Sequence, residues 1–98
     1  MYVTNPSKEE AEKIAKHLLE KRLIACANIF PIDSIYRWDG KTNFDKEHVL
    51  LAKTSEERFS EAEKEIKTVH PYKVPCIIRI SADANAEFLA WVSNEVTE

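Results

Sequence analysis

The 98-residue chain contains a single glycine, Gly40. A glycine-rich phosphate loop or a dinucleotide fingerprint needs several, so neither can be built anywhere in it. Cysteine is sparse as well. Cys26 and Cys76 are far apart and form no CxxC pair. In a chain with no export signal they read as free thiols of a reducing compartment. No apolar run approaches the roughly 20 residues of a membrane span. The start, Met1-Tyr2-Val3-Thr4-Asn5-Pro6, lacks the basic and apolar stretches of a signal peptide. An excess of positive charge is missing too. Fourteen Lys and Arg against seventeen Asp and Glu leave a net charge of −3, which speaks against a basic nucleic-acid binder or a polybasic membrane-surface protein. What remains is an ordinary globular composition, 44% hydrophobic and 32% charged. The expectation is one cytoplasmic domain over residues 1–98, with neither nucleic acid nor membrane as partner.

The clearest local signal is a helix start. Ser7 stands where it can cap, and Glu10 follows at capping-box spacing. Ala11, Ile14, Ala15, Leu18 and Leu19 then form a helical stripe. The spacing predicts a helix over 7–21. Before it there is room only for a short strand at 2–4. After it, Leu23 to Phe30 is a nearly continuous apolar run, read as a buried strand. Pro31 suggests a bend, a bulge or an edge position, and Ile32 to Trp38 resumes as strand. Asp39-Gly40 is a tight-hairpin dipeptide. The polar stretch 41–45 returns from it, and His48 to Thr54 re-enters the core as strand. A second helix follows Thr54-Ser55-Glu56-Glu57 and stops near Pro71. Cys76 to Ile80 reads as a short strand, and Asn85 caps a last helix.

The order strand, helix, strand, strand, helix, strand is the split βαβ of an α+β ferredoxin-like sandwich. It predicts a four-stranded antiparallel sheet with two helices on one face and an extra C-terminal helix. The central hairpin is too long for that fold, with arms of about fifteen residues against a usual five or six. Its projecting tip carries Tyr36, Trp38 and Phe44. An exposed aromatic ribbon with open edges requires a cover, which points to a closed oligomer.

Five stretches follow one another along the chain: Arg22-Leu23-Ile24-Ala25-Cys26-Ala27-Asn28-Ile29, Ser34-Ile35-Tyr36-Arg37-Trp38-Asp39-Gly40-Lys41, Lys53-Thr54, His70-Pro71-Tyr72-Lys73-Val74-Pro75 and Phe88-Leu89-Ala90-Trp91. In this order and spacing they resemble the CutA family of divalent-cation tolerance proteins. The resemblance implies a ferredoxin-like homotrimer whose long hairpins interlock, an architecture similar to that of the PII signal proteins. It also implies a role in metal tolerance, chiefly toward copper, with no enzymatic activity. Where the family usually carries Glu, this chain has Cys76, which offers a softer thiolate ligand.

The residues that could hold a divalent metal ion are His17, His48, His70, Cys26 and Cys76, since imidazole and thiolate suit copper or zinc. His70 and Cys76 form the favoured pair because they flank the stiff Pro71–Pro75 connection. Cys26 reads as a small hydrophobe in its strand, and His17 as a solvated residue. Carboxylates on the hairpin, Asp33, Asp39, Asp45 and Glu47, read as a solvated charged surface. A second reading is a binding module, with Tyr36, Arg37, Trp38 and Lys53 lining a cleft between subunits for an anionic ligand. A third is a scaffold for a protein partner.

Overall fold

The computed structural model describes residues 1–97. Its elements are β1 (Tyr2–Asn5), α1 (Lys8–Glu20), β2 (Cys26–Trp38), β3 (Lys41–Lys53), α2 (Glu56–Val69), β4 (Ile77–Ile78) and α3 (Ala86–Val96). The strands form one antiparallel sheet in the order β2-β3-β1-β4, the ferredoxin-like arrangement expected from the sequence.

Local chemistry explains where α1 begins and ends. The Ser7 hydroxyl accepts from the Glu10 amide at 3.1 Å, which satisfies one of the orphan donors of the first turn. At the other end Arg22 adopts a left-handed conformation (φ 56°). Its amide donates to Leu19 O at 3.0 Å while the Leu23 amide reaches Leu18 O at 2.9 Å, a Schellman-type stop. The same Arg22 sends Nη1 to Glu95 O at 3.2 Å, and Arg58 Nε donates to Val96 O at 2.7 Å. Two arginines from elsewhere in the chain thus supply donors to the carbonyl end of α3, which has no basic residue in its own last turn.

Registered partners in a sheet share a face, so Val3, Leu50, Ile29 and Ile77 point the same way. They meet Ile14 and Leu18 of α1 and Ala62 and Ile66 of α2 in the main core. A smaller cluster joins Ala25 to Phe88, Val92 and Val96 of α3. The opposite face of the sheet carries Tyr2, Leu51 and Asn28 in one row and Thr4, Val49 and Phe30 in the next. Neither α1 nor α2 covers it.

β2 and β3 pair without interruption from Cys26↔Lys53 to Trp38↔Lys41. The arms are thirteen residues each rather than fifteen, about 43 Å at roughly 3.3 Å per residue, matching the 44 Å long axis of the molecule. Pro31 does not bend the strand. It stands opposite His48 in an unbroken ladder, and β2 is an edge strand, where a missing donor is tolerated. The turn has positive φ at both Asp39 (57°) and Gly40 (74°), the requirement of a two-residue type I′ hairpin. The expected strand 76–80 shrinks to Ile77–Ile78 because β1 is only four residues long and Tyr2 already faces Ile78. The last residue of β1, Asn5, faces His48. Beyond that pair the hairpin leaves the sheet as a free two-stranded arm.

Candidate functional site

The arm presents large apolar side chains on both faces. On the helix-side face Ile35 and Phe44 stand directly opposite one another, 67% and 72% exposed. On the other face Tyr36 and Trp38 are 41% and 55% exposed. Lys46 bonds Asp33 at 2.7 Å on the surface of the same arm. Apolar side chains presented on two opposite faces of one ribbon need two covering surfaces.

At the root of the arm the segment after α2 folds back as a strap. His70 caps α2, its amide donating to Ile66 O at 2.8 Å. Its ring is buried, with Nε2 2.8 Å from Thr4 O of β1 and Nδ1 3.1 Å from the Tyr72 amide. A carbonyl only accepts and an amide N–H only donates, so the hydrogen sits on Nε2 and the Nδ1 lone pair is taken. The Tyr72 ring packs against the His70 ring, tilted by 51° with centroids 4.8 Å apart, and its hydroxyl donates to Glu47 Oε2 at 2.5 Å. Burial first, and the Glu47 carboxylate second, push the Tyr72 phenol well above its ordinary value of 10. Glu47, expected on a solvated surface, is only 8% exposed, because the strap closes over it. Two residues along the same face the Tyr36 hydroxyl donates to Asp45, which raises the Tyr36 phenol by hydrogen bonding.

Strap and arm enclose a groove of about 610 Å³, lined by Tyr2, Thr4, Ile32, Tyr36, Asp45, Glu47, Tyr72 and Cys76 among others. Cys76 reaches this groove as a free, half-buried thiol. His70 is not part of its lining. Among the described residues no three His, Cys, Asp or Glu side chains converge to hold a metal ion. With both His70 nitrogens bonded, one protomer offers no closed metal centre. The four residues expected to line a cleft between subunits lie apart within one protomer. Tyr36 and Trp38 lie toward the hairpin tip and line the groove, Arg37 lines neither large cavity, and Lys53 lies at the far end of β3 beside a second cavity. His17, expected to be solvated, bonds Glu65 at 2.8 Å across α1 and α2, which holds the Glu65 carboxyl below its usual range. Asn5 Oδ1 and His48 Nδ1, on the helix-side face, are buried without hydrogen-bond partners among the described residues.

The Tyr72–Glu47 hydrogen bond is the contact at the root of the arm that sequence reasoning missed. The signal was the tyrosine between two prolines, which had to land on something; its acceptor is set by tertiary contact alone.

A ferredoxin-like sheet drawn out into a long hairpin and closed by a C-terminal helix places the chain in the structural class that includes PII-like proteins. The chain matches the family model of the CutA1 divalent ion tolerance protein over residues 1–95. It is 47% identical over 97 residues to the divalent-cation tolerance protein CutA of Archaeoglobus fulgidus, covering 98% of this chain and 95% of the relative. The crystal structure of CutA1 from Pyrococcus horikoshii superposes with a TM-score of 0.94 at 44% identity, covering 99% and 96% of the two chains. The PII-like protein CutA from Nostoc, in apo form, gives 0.89 at 32% identity over 98% and 94%. The chain belongs to the CutA1 family. No helix among the described residues is long and apolar enough to cross a membrane.

Proposed function

We propose that the chain, as one CutA-like domain over residues 1–98, acts in divalent-cation tolerance as a closed homotrimer held together by its arms. The observation that carries the assembly is apolar exposure on both faces of the arm, Ile35 and Phe44 on one side and Tyr36 and Trp38 on the other. A face-to-face dimer covers one side of a ribbon. A ring in which each arm is gripped between neighbours covers both.

The metal role rests on the names of the relatives, divalent-cation tolerance proteins, and the ion we propose is copper, bound without catalysis. Cys76 is the soft ligand exposed to the groove. His70 joins it only by giving up the hydrogen bond from the Tyr72 amide. Among the described residues no third ligand converges with these two, so a complete site is assembled between copies. The free thiols favour a cytoplasmic setting, whereas the Archaeoglobus relative is described as periplasmic.

Copper titration of the reduced protein, followed by native mass spectrometry, tests this reading. Uptake in whole equivalents by an intact trimer, abolished in the His70→Ala/Cys76→Ser double variant, is the expected result. Undiminished uptake by the double variant removes both residues as ligands.

A second reading, a PII-like module that binds a small ligand, is favoured by the likeness to the PII-like Nostoc protein and by the second cavity beside Lys53.

A further inference from the structure

At the end of the sheet remote from the hairpin tip lies a cavity of about 460 Å³, within the range of roughly 300–1,000 Å³ typical of small-molecule sites. Its apolar wall is built from Leu51, Phe59, Phe88 and Leu89, and two cations, Lys53 and Arg79, border it. Lys53 is half-buried, and among the described residues its ammonium makes neither an ion pair nor a hydrogen bond. A lysine stem laid along an apolar wall leaves its ammonium free to meet an anion. The Arg79 guanidinium sits 5.5 Å from the centroid of the Phe59 ring and makes no ion pair among the described residues. Stacking of this kind holds the planar fork in place while its N–H groups remain free to donate. Glu56 and Asp83 also border the cavity, but both are exposed and neither pairs with a cation among the described residues.

We infer that this cleft binds a small aromatic oxyanion, a carboxylate or phosphate joined to a flat apolar ring. The oxyanion bridges Lys53 and Arg79, and the ring lies against Phe88 and Leu89. An anion alone would leave the apolar wall wet, and a neutral ring would leave Lys53 without a counter-charge, so the cleft selects a molecule carrying both. The inference rests on the ligand-binding reading and is independent of the cation reading.

The test uses the assembled, isotope-labelled full chain and backbone-amide NMR titrations with phenyl phosphate, benzoate, phenol and inorganic phosphate. At least one of the two aromatic anions is expected to bind about tenfold more tightly than either phenol or inorganic phosphate, and the tighter of the two identifies the oxyanion. The shifted amides should cluster at Thr54 and at residues 81–88. Lys53→Met and Arg79→Met keep the aliphatic stems in place. Each is expected to weaken binding about tenfold, while Lys53→Arg retains it. Equal affinity for inorganic phosphate, unchanged affinity in both methionine variants, or no shift at millimolar ligand overturns the inference. Shifts confined to the arm overturn it too, but leave the broader ligand-binding reading standing at a different place.

Discussion

Phe44 is 72% exposed on the arm of a single chain. A phenylalanine offers on the order of 200 Å² when free, so about 140 Å² of this one stands open in the protomer. Truncation to alanine removes roughly 100 Å² of that surface, worth about 2.5 kcal/mol at ~25 cal/mol/Å² if a neighbour covers it. A closed trimer holds the residue three times. Phe44→Ala is therefore expected to weaken trimer formation by about 7 kcal/mol, on the order of 10⁵-fold in the overall dissociation constant. Sedimentation velocity over a wide concentration series reads this directly, with the variant dissociating where the wild-type chain does not. Far-UV circular dichroism should be unchanged, because Phe44 contributes nothing to the core of its own protomer. If Phe44→Ala dissociates at the same concentration as the wild type, the helix-side face of the arm is open to water in the assembly. The argument from two apolar faces then fails.

Three further perturbations test the fold and the strap. Tyr72 holds its proton more tightly when folded than an unfolded tyrosine does, so its stabilisation is intact below pH 10 and is lost as the pH rises above that value. Urea unfolding should show a steeper loss above pH 10 for the wild type than for Tyr72→Phe. At pH 8 the variant itself should be less stable by about 1.5–3 kcal/mol, the usual cost of losing a hydrogen bond to a charged group, and equal alkaline slopes would refute the assignment. Leu18 is wholly buried between α1 and the sheet; Leu18→Ala is expected to cost about 3–4 kcal/mol in chemical denaturation, and a loss below 1 kcal/mol would mean that this core is not closed. Gly40 has φ +74° with open space around a Cβ, so Gly40→Ala pays only the backbone term, about 1–2 kcal/mol, without moving the register of the arm as read by cross-strand nuclear Overhauser contacts.

The helical elements were legible because their signals are local. The stripe from Ala11 to Leu19 and the Ser7 cap place α1 at Lys8–Glu20 within a residue of the expected bounds. Asp39-Gly40 marked the hairpin because positive φ is demanded at both positions. Pro31 was ambiguous for a physical reason. Whether a proline bends a strand depends on whether its missing donor faces a neighbour, and that follows from strand order, not from the residues beside it. β4 was overdrawn because its length is set by its partner β1. The site was the least legible part. The cleft drawn from Tyr36, Arg37, Trp38 and Lys53 was placed between subunits, and an unbroken ladder holds Tyr36 and Lys53 far apart along the sheet of one protomer. Glu47 looked solvated because nothing near it in sequence announces the strap that buries it. His70 carries both readings it was given only in part. Its backbone closes α2, while its ring is committed to Thr4 and Tyr72.

The closed trimer is the central claim, and sedimentation equilibrium of the unmodified chain tests it most directly. The protomer is 11.3 kDa, so the account predicts a single species of about 34 kDa that persists on dilution. A monomer, or a dimer of about 23 kDa, would contradict it, because either leaves at least one apolar face of the arm in water.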